Sequence, residues 1–480
     1  MNTAIETKRI VIEPVTRVEG HGKVTILLDE QSRVWQARLH IVEFRGFERF
    51  IQGRPFWEVP VLVQRLCGIC PVSHHLAAAK AVDRIVGGEK LTPTAEKIRR
   101  LMHHAQFLQS HALHFFHLCS PDFLFGFDAD VSIRNVIGVA GKYPELAKQG
   151  VLLRKYGQEI IKATAGKKIH GTGAIPGGVN KNLTIAERDA FLKDIGQILN
   201  WSLGALKIAK DYTLQHMAEL SSFAYFPSNN LSIVRPDGGH DIYDGGLRAK
   251  DAEGAIIFDH ADNQKYAEYI AEEVKPWSYM KFPFIRPIGP ENGWYRVGPL
   301  SRVNNCDFFD TPQAEVARVE FKKLTQGKPN HLTMAYHWAR MIELVHSAET
   351  IERLLHDPDL QGTDLVATGD RRDEAVGIIE APRGTLFHHY RVNRNDQVTM
   401  ANLIVSTTNN NEPMNRAVQS VAEKYLSQAP KITEGLLNRI EVAIRAYDPC
   451  LSCATHAMGQ MPLEVVILDH EGRQVDRKIR

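Results

Sequence analysis

"AEKIRRLMHHAQFLQSHALHFFHL", residues 95–118, carries apolar side chains around most of a helical circumference. A helix that is apolar on nearly all sides is a buried one. Thr92 followed by Pro93 sets its start, because proline suits the first helical position. The centre of the molecule is therefore read as helical. The five histidines of this helix, His103, His104, His111, His114 and His117, include no i, i+4 pair, and satisfied core or interface histidines are expected over a second metal site. Outward from here, more helix is expected over 186–217, where Thr184 and Glu187 form a capping box, and over 312–327, 331–356 and 433–446. Upstream, "KVTILLDEQSRVWQARLHIVEF" alternates apolar residues on both sides of the polar "DEQS", which predicts a hairpin. Residues 375–405 read as two or three further β segments. "HGTGAIPGGVN", 170–180, fits neither the dinucleotide fingerprint nor the P-loop and is read as a loop. With no repeat and no interdomain linker, the chain is read as one compact body, mainly α with small β-sheets (α+β) and long buried central helices.

The balance of 58 Lys+Arg against 56 Asp+Glu creates no field for nucleic acid. No apolar run approaches the ~20 residues of a membrane span, and the N-terminus lacks a secretory apolar core. A cytoplasmic location is expected, with no membrane partner.

Six cysteines are present, and four of them form two C-x-x-C pairs: Cys67 and Cys70 in "RLCGICPVSHH", Cys450 and Cys453 in "DPCLSCATH". Four thiolates suit a soft or borderline metal. A structural zinc ribbon places its pairs about 15–20 residues apart, whereas Cys70 and Cys450 are separated by 380 positions. A thioredoxin-like pair needs a βαβ context that neither site has. A reactive metal centre between the chain ends is the more sensible use. Asp448 precedes Pro449 and is expected outside the α region. His74 and His456 follow the second cysteine of each pair, placed to hydrogen-bond a thiolate or to bind a second metal. Glu19 in "RVEGH", Glu48 in "FRGFE" and Arg383 in "APRG" are charges that a core would not choose for stability.

With these residues assembled, the chain resembles the large, catalytic subunit of nickel–iron hydrogenases along essentially its whole length. "EPVTRVEGHGKV" (13–24), "FRGFERFIQGR" (44–54), "RLCGICPVSH" (65–74), "EAPRGTL" (380–386) and "DPCLSCATH" (448–456) match family signatures in order. "CGICPVSHHLAAAKA" is most similar to the cytoplasmic bidirectional group, and within it to the NAD-reducing enzymes. The resemblance implies that the four cysteines bind nickel, and that Cys70 and Cys453 also bridge to an iron carrying CO and two CN ligands. Arg383, with Thr407, would donate hydrogen bonds to those ligands, and Asp448 would hold the Arg383 guanidinium. Glu19 would relay protons beside Cys450, while Glu48 and His456 would bind magnesium. Where relatives often carry an aspartate, this chain has Ser110, which unsettles any polar contact made there.

The implied reaction is the reversible heterolytic cleavage of dihydrogen. It yields a proton and a hydride, so the site needs an acceptor for each, and a thiolate or the guanidinium would take the proton before Glu19 passes it outward. Cys119 and Cys306 stand alone, so iron–sulfur wiring must lie on a small-subunit partner. Diaphorase subunits binding NAD and flavin are implied as well. An acceptor such as NADP or a deazaflavin, and a hydrogen-sensing role, are the alternatives. The 24 residues after His456 are implied to be a C-terminal extension, 457–480, removed by a maturation protease once nickel chaperones have delivered the metal. "LEVVILDHEGRQVDRK" within it reads as strand and turn, and a tail paired as a strand could hold Cys450 and Cys453 away from the closed site until then.

Overall fold

The computed structural model describes residues 8–455, 464–468 and 473–479. Strands β1 (Lys8–Ile12), β2 (Gly22–Leu28) and β3 (Val34–Ile41) form an antiparallel sheet in that order. Its expected hairpin is the β2–β3 pair, whose alternating residues Val24, Ile26, Leu39 and Ile41 are fully buried. The long helices are α1 (Pro71–Ile85), α2 (Pro93–Leu113), α3 (Pro144–Ala165), α4 (Ile185–Gln215) and α5 (Ala335–Leu355). The Thr92 hydroxyl caps α2 by accepting from the Ala95 N–H, and Thr184 and Glu187 make the reciprocal box at α4. A second antiparallel sheet, β4 (Glu374–Ala381), β5 (Gly384–Val392) and β6 (Val398–Ile404), packs against α1. Helix α6 (Glu434–Ala446) then leads into the second cysteine pair.

Helix α2 is the axis of the molecule, buried along nearly all of its length. Gly157 of α3 lets the two helices close on each other, since a Cβ there would stand 2.6 Å from the Ala105 carbonyl and 2.9 Å from the Gln109 Cβ. The expected single helix over 95–118 stops being α at Leu113 and continues as a π turn, His114–Cys119. That wider turn seats Phe116 against Gly150 of α3 while His114 reaches the Arg445 carbonyl. The helix expected at 331–356 begins at Ala335, because the segment before it is held by side chains: Asn330 caps the Leu332 N–H and Arg296 holds the His331 carbonyl. The 312–327 helix ends at Lys323.

Residues 170–180 form a loop with a two-residue-strand hairpin, and the Gly177 N–H is consumed by Asp83 at 2.7 Å. Of the tail, residues 464–468 pair antiparallel with 474–479. The strand reading of the tail is met, with the tail as its own strand partner, and the expected turn lies outside the described residues.

Candidate metal centre

The first cysteine pair is held between a 3₁₀ turn, Val63–Leu66, and the first turn of α1, where Cys70 is the N-cap and Pro71 the first helical residue. The second pair follows α6 by way of Asp448 and Pro449, with Cys453 inside a short 3₁₀ turn, Ser452–Ala454. All four cysteines are free and buried, and their sulfurs lie within 4.8 Å of one another. The Cys67 and Cys450 sulfurs are 3.3 Å apart, well beyond the ~2.05 Å of a disulfide. Cys450 and Cys453 thus lie beside Cys67 and Cys70, whereas a tail holding them away from the closed site was the expectation.

Four thiols at this spacing cannot all ionise against one another. S–H donation from Cys450, Cys453 and Cys67 holds the Cys70 thiol well below its usual range, with His74 contributing in the same direction. Burial pushes Cys450 and Cys453 up. A divalent cation is what releases the remaining protons. The donor set is soft, enclosed and convergent, and it fits nickel with iron beside it.

Arg383 sits in the two-residue turn between β4 and β5, where Ala381 faces Gly384. Its Nη2 donates to Asp448 Oδ1 at 2.9 Å and its Nε to the Asp448 carbonyl. Burial opposes its charge, but Asp448 and the sulfurs of Cys450, Cys70 and Cys67 outweigh that and hold the guanidinium firmly protonated. Asp448 lies outside the right-handed α region, as expected before a proline. Its φ of 53° is left-handed, which aspartate tolerates, and both its carbonyl and its carboxylate serve Arg383 there. Ser110 lies at the same guanidinium, 3.4 Å from Nη1, so the aspartate-to-serine departure leaves a polar contact in place.

Glu19 pairs in parallel with Cys450 as an isolated bridge, and the Ser452 hydroxyl and N–H both donate to its carboxylate. Gly20 makes this approach possible: its φ is +81° and a Cβ would stand 2.6 Å from the Ser452 nitrogen. Glu19 is half-buried. Thr407 Oγ1 accepts the Cys450 N–H at 3.0 Å. His74 lies 3.2 Å from His388. Glu48 accepts the Leu403 N–H and the Lys281 ammonium, 3.0 Å away. The expected partner His456 lies outside the described residues. Thr455 pairs with Met280, bringing the chain up to Lys281 and Glu272, whose buried Oε1 has no partner. Hard oxygen donors and an orphaned carboxylate oxygen suit magnesium, with Lys281 as a competing cation.

Of the histidines in 95–118, His103 of α2 and His114 of the π turn bond backbone carbonyls, His111 bonds Glu343, and His104 packs on His346. One further group, His114, Cys119 and His337, has ligand atoms within 4.8 Å, but His114 Nε2 is spent on the Arg445 carbonyl and the Arg340 guanidinium stands 3.4 Å from His337. A cation there faces a cation. Sequence reasoning missed Ser452, Lys281, Glu272, Gln106 and Gln109. None of them stands in a pattern of unusual chemistry that sequence alone would single out.

Comparison with known families agrees with this geometry. The model for nickel-dependent hydrogenases matches residues 45–132 and 227–456, and a HoxL-like model matches 9–44. The chain belongs to the nickel-dependent hydrogenase family. It is 50% identical to the NAD-reducing hydrogenase HoxS subunit beta of Cupriavidus necator, over 99% of this chain and all of that one. It superposes on a crystal structure of an NAD+-reducing [NiFe]-hydrogenase in the H2-reduced state with a TM-score of 0.92 at 56% identity, covering 94% of this chain and all of that one. The Ni-Fe-Se hydrogenase of D. vulgaris Hildenborough shares the fold, with a TM-score of 0.74 at 23% identity over 94% of this chain and all of that one.

Proposed function

We propose that this chain is the catalytic subunit of a nickel–iron hydrogenase that cleaves dihydrogen reversibly and heterolytically, with electrons leaving through an iron–sulfur small subunit toward NAD(+). The observation that carries the reading is the convergence of four buried sulfurs from opposite ends of the chain, with a protonated guanidinium tied to Asp448 beside them. The names of the similar proteins support NAD as the acceptor and diaphorase subunits as partners. Only Cys119 and Cys306 remain outside the centre, too few for an iron–sulfur cluster.

Cys67, Cys70, Cys450 and Cys453 would hold nickel, with Cys70 and Cys453 shared with an iron bearing CO and two CN ligands. Once bound, the metal pair supplies Lewis acidity toward dihydrogen and a store for two electrons. The chain's own residues manage the proton and the pocket. Arg383, fixed by Asp448, presents N–H donors to the buried pocket, and Thr407 orients the Cys450 backbone. Glu19 sits against the second cysteine loop on one side and reaches toward solvent on the other, so its carboxyl takes a proton from the Cys450 side and passes it outward. His74 steadies Cys70. Glu48 and Glu272, with His456, would hold magnesium. Residues 457–480 would be removed after His456 by a protease once chaperones have loaded nickel. We place the enzyme in the cytoplasm; no helix among the described residues is long and apolar enough to cross a membrane.

The test is an infrared spectrum of the purified complex together with its metal content. One CO band with two CN bands and nickel near one per chain is expected. Zinc in place of nickel, with no such bands, would overturn the reading.

A further inference from the structure

Two buried glutamines of α2 converge on one atom. Gln106 Nε2 and Gln109 Nε2 donate to the Ile69 carbonyl at 2.9 and 2.8 Å. Spaced i, i+3, they share one face of the helix, and both are essentially out of solvent. Gln106 is kept there although its Oε1 has no partner. The carbonyl they hold lies between the two cysteines of the first pair.

The Ile69 carbonyl and the Cys70 N–H are opposite ends of a single peptide unit. That N–H donates to the Cys67 sulfur at 3.2 Å, alongside the Ile69 N–H at 3.3 Å. Among the described residues, Cys67 is the one sulfur of the four that receives backbone N–H bonds. The Cys67 carbonyl, two residues earlier in the loop, is held as well, by His170 Nε2 at 3.1 Å. Two donors on an amide oxygen polarise the amide and make its N–H a better donor, so the bonds strengthen along the chain. A hydrogen bond to a thiolate withdraws electron density from it, and hydrogen bonds to a ligand sulfur are among the levers that set a metal's potential.

We infer that Gln106 and Gln109 are positioning residues that tune the Cys67 sulfur through the Ile69–Cys70 peptide. Resting on the hydrogenase reading, the inference makes them regulators of the electron density at nickel from one side of the centre. They do not touch the metal. They act through one amide plane, and the close packing of α3 at Gly157 holds the Gln109 backbone in place.

The test uses the intact complex with Gln106→Met, Gln109→Met and the double variant. Each single variant leaves one donor on the carbonyl, which guards against collapse of the loop. The readouts are nickel content, the infrared CO and CN bands, and the midpoint of the nickel signal in a redox titration followed by electron paramagnetic resonance. Full nickel loading is expected throughout, with the midpoint shifted to more negative potential in each single variant and further in the double. A purely structural role would lower loading or melting temperature without moving the midpoint. An unmoved midpoint in fully loaded variants overturns the inference while leaving the hydrogenase reading intact. Absence of the CO and CN bands and of the nickel signal in the unsubstituted complex overturns that reading, and the inference with it.

Discussion

Glu19 rests its carboxylate on Ser452, whose hydroxyl and backbone N–H both donate to it. Glutamine at this position keeps the shape and an acceptor oxygen but cannot carry a proton. Because a positioned acid–base group contributes about 10²–10⁴-fold, Glu19→Gln is expected to lower hydrogen turnover by at least ~10²-fold with metal content and infrared bands unchanged. Dye-reduction rates measured beside metal analysis decide it, and wild-type turnover would assign the relay to another group. At this scale the cysteines, Glu19 and Arg383 were legible, because each stands in a short motif of unusual chemistry. Gln106 and Gln109 were not, since a buried amide is assigned nothing by pattern and its meaning lies in which carbonyl it meets. Asp448 was half legible. The proline after it excludes right-handed helix there, and its two contacts with Arg383 are served by the left-handed backbone it adopts instead.

The elements are placed by close approaches that glycine allows. Gly20 brings the segment between β1 and β2 against the Ser452 backbone, so Gly20→Ala adds a Cβ where there is no room and a φ that alanine resists. A cost of about 1–3 kcal/mol is expected, with loss of nickel retention, because the displaced backbone carries Glu19 and borders Cys450. Thermal unfolding and metal content after gel filtration measure both; a variant that keeps its melting temperature and its nickel would show that the loop yields freely. The helices themselves were largely readable from caps and periodicity: α2 and α4 start directly after their Thr92 and Thr184 signals, and α6 begins one residue into the expected 433–446. The π turn at His114–Cys119 was not readable, since one extra residue in a turn changes no local pattern and is selected by packing on Gly150 and Arg445.

At the scale of the whole molecule, one buried charge network centres on Arg302, which joins Glu343 of α5 to Glu380 of β4. Burial works to raise the Glu343 pKa, but Arg302, with His111 and His240, overrides it and holds the carboxyl well below its usual range. A depressed carboxylate stabilises the fold above its unfolded value of 4.5 and loses that contribution as pH falls toward its folded value. Glu343→Gln leaves Arg302 underpaired and is expected to cost about 3–5 kcal/mol at neutral pH. The deficit should hold from neutrality down to pH 4.5 and narrow below it, as followed by melting temperature across pH; a deficit that narrows already near neutrality would contradict an ionised Glu343. None of this network was visible in sequence, where Glu343, Arg302 and Glu380 lie far apart and look like ordinary charges.

That the first and last functional pairs of sulfurs meet in one cavity also has a consequence in time. A ribosome adding about 5–20 residues per second needs between about 20 and 80 seconds to go from Cys70 to Cys450. Throughout that interval the nascent polypeptide owns half a binding site, with its first two thiols waiting at the start of α1. A transcript cut short anywhere in between yields a product unable to retain the metal. Completion of translation is thereby written into the coordination chemistry, and metal occupancy reports on whether synthesis reached the end.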